Sequence, residues 1–94
     1  MALDVQAIRA DFPILSKEVY GKKLVYLDNA ASAQKPKPVL NAIVKAYTEE
    51  YANVHRGLHY LSNAATQAFE DARESVRRFL NAPSADQIIF TRNA

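Results

Sequence analysis

The sequence contains no cysteine and no tryptophan, and only 2 of its 94 residues are glycine. Without cysteine there is no disulfide, no thiolate nucleophile and no thiolate metal site in this chain. No apolar run approaches the ~20 residues of a membrane span, and the first residues lack the basic start and apolar centre of a signal peptide. These absences predict a cytoplasmic protein that does not bind to membranes.

Neither sign of charge dominates, since 12 Lys and Arg residues stand against 10 Asp and Glu residues. The only adjacent basic pairs are Lys22-Lys23 and Arg77-Arg78, so no dense basic tract indicates binding to nucleic acid. Hydrophobic residues make up 49% of the chain and charged residues 23%, which is typical of a globular protein with one small core.

The first third of the chain predicts a short helix and a β-hairpin. Asp4 is a suitable N-cap for the helix, and Pro13 ends it because the residue before proline avoids helical geometry. Residues 18–20 and 23–27 are rich in branched and aromatic side chains and flank Gly21, which predicts two strands around a glycine turn.

Two amphipathic helices follow, the first from about Pro38 to Ala52 and the second from Leu61 until Asn81 and Pro83 end it. The periodicity of the second helix places most of its charged side chains toward solvent, namely Glu70, Arg73, Glu74, Arg77 and Arg78.

Residues 87–91 predict a strand that is apolar on both faces, as in a parallel sheet covered on both sides. Such a strand needs neighbours, and the small hairpin cannot supply them. The sequence therefore indicates an incomplete piece of a larger α/β protein.

His55 and His59 are spaced like the zinc ligands of an H-E-x-x-H helix. Gly57 between them disfavours a helix and no Glu follows His55, so loop or core histidines are the favoured alternative and we predict no metal ligand. Arg56 beside Gly57 is suited to binding an anion, because a guanidinium pairs with carboxylate or phosphate and glycine permits a close approach. The other possibility is that Arg56 fastens the loop to a neighbouring carboxylate.

Residues 28–32 follow a predicted strand, the position at which open α/β sheets place ligands. The alternative is a plain turn in which Asp28 and Asn29 bond to their own backbone. Residues 91–94 present the same choice between a plain turn and the approach to a phosphate-binding helix. No lysine is predicted to lie in the desolvated pocket that a Schiff-base lysine needs.

Four segments together resemble the start of the Suf-type, or group II, cysteine desulfurases, which are pyridoxal-phosphate enzymes of the class V aminotransferase family. The segments are RADFPIL, YLDNAASAQKP, YANVHRGLHYLS and IIFTRNA. The resemblance implies the N-terminal portion of an α/β transferase of fold type I. It would comprise the short helix, the hairpin, the two long helices and one strand of the large-domain sheet. Residues 1–94 would be an incomplete domain, with about 1–30 in the small domain and about 31–94 starting the large cofactor-binding domain.

The implied activity is the conversion of L-cysteine to L-alanine, with the sulfur transferred as an enzyme persulfide for iron-sulfur cluster assembly. The implied partners are a second copy of the chain, forming a homodimer, and a sulfur-acceptor protein of the Suf system. The family's cofactor lysine, ring-stacking histidine and persulfide cysteine would all follow Ala94. The resemblance therefore implies that this chain holds no catalytic residue and is inactive alone.

The resemblance also assigns site residues one by one. Asn29, Ala30 and Ala31 are expected to bind substrate. His55 and Arg56 match a supporting active-site pair near the dimer interface, and His59 is expected to orient their loop. Cofactor-binding residues are not certain within the chain, although Asn93 and Ala94 adjoin the expected phosphate loop.

Two alternatives remain open from the sequence. One is a selenocysteine lyase or another class V enzyme. The other is a small helical interaction or nucleic-acid module using Arg56, Arg77 and Arg78, against which the interspersed acids Glu70, Asp71 and Glu74 argue.

Overall fold

A computed structural model describes residues 2–93. The backbone forms, in chain order, α1 (Val5–Ala10), a 3-10 turn (Pro13–Ser16), β1 (Glu18–Val19), β2 (Lys22–Lys23), α2 (Lys37–Glu49), α3 (Tyr60–Leu80) and a second 3-10 turn (Ala85–Gln87). The chain divides after Lys45 into two compact units. Within the described range no helix has the length and apolar character needed to cross a membrane.

In the first unit, α1 begins after Asp4 as predicted and ends at Ala10, slightly before the predicted end at Phe12. The Asp4 carboxylate accepts a hydrogen bond from the Ala7 amide at 3.0 Å, which satisfies one of the unpaired donors at the helix start. Phe12 is extended, with φ −106° and ψ 96°, because Pro13 disfavours helical geometry in the residue before it. The 3-10 turn that follows was not predicted.

The predicted hairpin is confirmed, but it is shorter than expected. β1 and β2 pair antiparallel, and the turn residues Tyr20 and Gly21 both have positive φ, 52° and 74°. Residues 24–27 are not in a strand, contrary to prediction. The last hydrogen bond of the hairpin joins the Leu24 amide to the Lys17 carbonyl. Beyond it residues 24–27 have no extended partner, because the chain before Lys17 forms the 3-10 turn.

α2 starts one residue before the predicted Pro38 and ends at Glu49, three residues before the predicted Ala52. Its apolar side chains are all exposed by more than a third of their surface: Val39, Leu40, Ile43, Val44 and Tyr47. The ring of Tyr47 packs against that of Tyr51, with centroids 5.3 Å apart.

In the second unit, α3 begins at a His59 cap and ends at Asn81, which adopts the left-handed conformation typical of helix ends, with φ 55°. The predicted stop at Asn81 is confirmed. On the helix surface Arg77 donates two hydrogen bonds to Glu74, and these bonds lower the pKa of the Glu74 carboxyl.

The segment after α3 differs from the predicted strand over residues 87–91. Gln87 belongs to the second 3-10 turn, and none of the following described residues is in a strand. A strand exists only where a neighbouring backbone pairs with it, and here the Ile88 carbonyl is bonded to the side chain of Arg73 instead. The predicted burial holds at Ile88, which is 7% exposed, and fails at Ile89, which is 77% exposed.

Candidate functional site

Ser62 holds together the loop that separates α2 from α3. This side chain is fully buried, and its Oγ accepts a hydrogen bond from the Gly57 amide at 2.9 Å. The same hydroxyl donates to the Asn53 carbonyl at 2.7 Å. One buried hydroxyl thus satisfies two backbone groups on either side of His55 and Arg56, which fixes the path of the loop.

The position of Gly57 has no room for a side chain. A Cβ added at this position would lie 2.6 Å from Ser62 Cβ, 2.7 Å from Ser62 Oγ and 2.9 Å from His59 Nε2. His59 also caps α3, because its Nδ1 accepts a hydrogen bond from the Ser62 amide at 3.3 Å. The loop and the start of the helix are therefore packed as one piece around Ser62.

His55 occupies a strained position in this loop, with φ at 60°, a conformation unfavourable for residues other than glycine. Its amide donates to Thr66 Oγ1 at 2.9 Å, and its Nε2 lies 2.9 Å from Oε1 of Glu70. The imidazole also meets the edge of the Phe69 ring, with centroids 5.8 Å apart. Three contacts with α3 hold the strained backbone in place.

Glu70 uses its second carboxylate oxygen to bind Arg73, with Oε2 3.1 Å from Nε. The Arg73 guanidinium lies 5.2 Å from the centre of the Phe69 ring and 5.6 Å from that of Phe90, and it donates to the Ile88 carbonyl. A continuous set of contacts therefore runs from the histidine loop to the segment that leads to Asn93.

Sequence reasoning missed this set, because it placed Glu70 and Arg73 on the solvent side of the helix and did not consider Thr66. The side chains of Glu70 and Arg73 are only 41% and 21% exposed. The sequence did carry one signal for this pair. Glu70 and Arg73 are three residues apart, and the aromatic Phe69 lies on the same helix face between Thr66 and Arg73.

Arg56 is exposed and lies between the strained His55 and the close-packed Gly57. Among the described residues no carboxylate pairs with its guanidinium, so the alternative in which it fastens the loop to an acid is not what the structure shows. An open pocket adjoins it, lined by Tyr51, Ala52, Asn53, Arg56, Gly57 and His59. This arrangement suits recognition of an anionic group.

Asn29, Ala30 and Ala31 lie in the first unit, in an exposed turn. The Ala31 amide donates to the Asp28 carbonyl at 3.1 Å, and Asn29 Oδ1 accepts a hydrogen bond from the Gln34 amide at 3.0 Å. The Asn29 side-chain oxygen therefore stabilises the local backbone, in agreement with the plain-turn alternative. The two alanines leave the backbone accessible, which is compatible with the expected substrate contact.

Asn93 has a positive φ of 63°, and its carbonyl lies 3.5 Å from Thr91 Oγ1. Ala94, the other residue expected next to the phosphate loop, lies outside the described residues. The candidate residues thus fall into three segments, and contacts through Glu70 and Arg73 connect the loop of His55 to Ile88, five residues before Asn93.

The residues present do not fit pyridoxal phosphate by themselves. A lysine that forms a Schiff base needs a desolvated pocket. Every lysine of the sequence is exposed, namely Lys17, Lys22, Lys23, Lys35, Lys37 and Lys45. No lysine among these residues is therefore placed to attach the cofactor. Within residues 2–93 no group of three His, Cys, Asp or Glu side chains could hold a metal ion.

Comparison with known families gives a clear match. The family described as aminotransferase class V matches residues 25–94, and the chain belongs to this family. This confirms the resemblance at the level of the family.

Two of the proteins that this chain resembles are cysteine desulfurases. The chain is 57% identical over 93 residues to a probable cysteine desulfurase of Streptomyces coelicolor. The aligned region covers 98% of this chain and 22% of that protein. The chain is 52% identical over 92 residues to a cysteine desulfurase of Pectobacterium atrosepticum, covering 98% and 23%. The chain thus spans less than a quarter of the length of these relatives.

A solved structure shows the same fold. The apo structure of a cysteine desulfurase from Thermococcus onnurineus superposes with a TM-score of 0.82 at 35% identity, over 99% of this chain and 22% of that one. This likeness confirms the predicted α/β fold class of the transferase fragment.

Proposed function

We propose that the chain is the N-terminal portion of a Suf-type cysteine desulfurase that supplies sulfur for iron-sulfur cluster assembly. The complete protein would break the carbon–sulfur bond of L-cysteine, take the sulfur on a cysteine thiol as a persulfide, and release L-alanine. The observation that carries the proposal is the 57% identity to a probable cysteine desulfurase over nearly the whole chain. The braced loop bearing His55 and Arg56 supports it.

Within this function Arg56 binds an anionic group at the edge of the active site. We assign this group as the carboxylate of the L-cysteine substrate. Its exposed guanidinium and the open pocket beside it support this role. His55 supports Arg56, and Ala30 and Ala31 border the substrate, with Asn29 keeping their turn in shape through its bond to Gln34.

Pyridoxal phosphate, when bound by the complete enzyme, supplies the electron sink that stabilises a substrate carbanion. We assign its covalent attachment, and the persulfide cysteine, to parts of the enzyme that the relatives have and this chain does not span. Residues 1–30 would then belong to the small domain and residues 31–94 to the cofactor-binding domain. The complete protein would act in the cytoplasm as a homodimer that passes sulfur to a Suf acceptor protein.

Replacing Arg56 by alanine in the complete enzyme should lower kcat/KM for L-cysteine by about tenfold or more, because the substrate carboxylate loses a charged, two-pronged donor. Arg56→Lys should recover only part of this loss, since an ammonium cannot make two parallel bonds. Alanine release over a range of cysteine concentrations measures both.

Arg78→Ala is the matched control, because Arg78 is an arginine of the same unit whose side chain is 69% exposed and pairs with Glu74 on α3. It should turn over cysteine at the wild-type rate. Wild-type kcat/KM in Arg56→Ala would rule out the role proposed for Arg56.

The nearest alternative is a selenocysteine lyase. Comparing kcat/KM for L-selenocysteine and L-cysteine on one enzyme preparation distinguishes a lyase from a desulfurase. The proposed function requires substantial turnover of L-cysteine, with release of L-alanine and formation of the enzyme persulfide.

A further inference from the structure

One carboxylate in the second unit links the histidine loop to Arg73, the side chain that contacts the segment after α3. Glu70 binds His55 through one oxygen and Arg73 through the other. Arg73 reaches the Ile88 carbonyl, and Ile88 is the buried hydrophobic residue of the segment that leads to Asn93. Glu70, acting through Arg73, therefore joins the loop of Arg56 to this second segment, beside Phe69, whose ring contacts both His55 and Phe90.

We propose that Glu70 is a positioning residue, which acts through His55 to set the orientation of Arg56 relative to the segment after Ile88. The proposal rests on the proposed function, because it assigns Glu70 to the same site. Glu70 itself contacts His55 and Arg73 and does not line the open pocket beside Arg56.

The strain at His55 explains why a tether is needed. A histidine at a φ of 60° relaxes toward negative φ unless its surroundings prevent it, and rotation about this residue swings the adjacent Arg56. The Thr66 hydroxyl holds the His55 amide, and the Glu70 carboxylate holds the imidazole. Loss of the Glu70 contact leaves only the Thr66 bond and the edge contact with Phe69 to oppose the strain.

The carboxylate is the right group for two simultaneous partners. Both of its oxygens accept, so it can bind the Nε2–H of His55 and the guanidinium of Arg73 at the same time. An amide of the same shape is uncharged and has one accepting oxygen in place of two. Glu70→Gln therefore retains the volume of the side chain and removes its charge and one of its two acceptors.

Glu74 provides a matched control on the same helix. Both side chains are 41% exposed, and both carboxylates pair with arginine three residues further along. Within residues 2–93 Glu74 pairs with Arg77 and Arg78, and it forms no ion pair with the loop. Glu74→Gln thus imposes the same chemical change without touching His55.

In the complete enzyme, Glu70→Gln should lower kcat/KM for L-cysteine by about fivefold, a modest loss because the pair is partly exposed. Glu74→Gln should stay within about twofold of wild type. If Glu70 acts through His55, its substitution should have less than about a twofold effect in a His55→Ala background, because coupled residues are not additive. Equal losses in both backgrounds, or an equal loss in Glu74→Gln, would overturn the proposal.

Hydrogen exchange of backbone amides tests the same proposal without reference to activity. The His55 amide should exchange several-fold faster in the complete Glu70→Gln protein than in wild type and in Glu74→Gln, since one of the three contacts that oppose the strain at His55 is then weakened. Unchanged exchange at His55 would contradict the positioning role. A wild-type protein that releases no alanine would refute the proposed function and leave this measurement valid.

Discussion

Replacing Gly57 by alanine in the complete enzyme should lower kcat for L-cysteine by about tenfold or more, because small displacements of site residues carry large costs in rate. The added methyl group would lie 2.6 Å from Ser62 Cβ and 2.7 Å from its Oγ, closer than real carbon atoms approach. Ser62 is fully buried and cannot yield, so the loop itself must move, and Arg56 moves with it. Alanine production at saturating cysteine measures the effect.

Gly21→Ala serves as the control for this prediction. Nothing lies within 4 Å of a Cβ added at Gly21, and its cost arises from the positive φ of 74°. That strain is worth about 1 kcal/mol of stability. We expect Gly21→Ala to lower the melting temperature slightly and to keep wild-type turnover. If Gly57→Ala also kept wild-type turnover, the loop geometry would have no bearing on the reaction.

Replacing Ser62 by alanine should lower the free energy of unfolding of the complete protein by about 2 kcal/mol, since buried backbone groups that lose their partner pay for desolvation. The Gly57 amide and the Asn53 carbonyl both bond to this hydroxyl, and the site is closed to water because Ser62 is 0% exposed. The same substitution should lower kcat, because it frees the loop on both sides of Arg56. Denaturant unfolding and alanine release measure the two effects.

Ser75→Ala is the corresponding control. Its hydroxyl donates to the Asp71 carbonyl within α3 at 3.0 Å and is exposed, so water can replace it. We expect a change in unfolding free energy of less than about 0.5 kcal/mol. A loss at Ser62 no larger than that at Ser75 would show that the loop does not depend on the buried hydroxyl.

Local signals in the sequence predicted local structure well. Asp4 caps α1, Gly21 forms the hairpin turn and Asn81 ends α3, each as expected. These outcomes depend on one residue and its immediate neighbours, since side-chain caps and positive φ are properties of short segments.

The failures arose where an outcome depends on partners far along the chain. Residues 87–91 have the composition of a strand, but no neighbouring backbone pairs with them, and Arg73 binds the Ile88 carbonyl instead. The pair of His55 and Glu70 spans fifteen residues and forms only because the loop folds back along α3. Helical periodicity alone assigned Glu70 to solvent, since it takes no account of what the preceding loop covers.

The site residues also divide into those that the sequence indicated and those that depend on contacts between distant segments. His55 and Arg56 were singled out from the sequence, and the structure shows them in a braced loop beside an open pocket. Thr66, Glu70 and Arg73 brace that loop and the following segment, and their contacts were recognised from the fold and not from the sequence.

Release of L-alanine from L-cysteine tests the central proposal most directly. The complete protein, loaded with pyridoxal phosphate, should release one alanine for each sulfur atom that it passes to a thiol acceptor. The chain of residues 1–94 under the same conditions should release none, because it offers no buried lysine and no cysteine. No alanine from the complete protein, or alanine from residues 1–94 alone, would contradict the proposed function as stated.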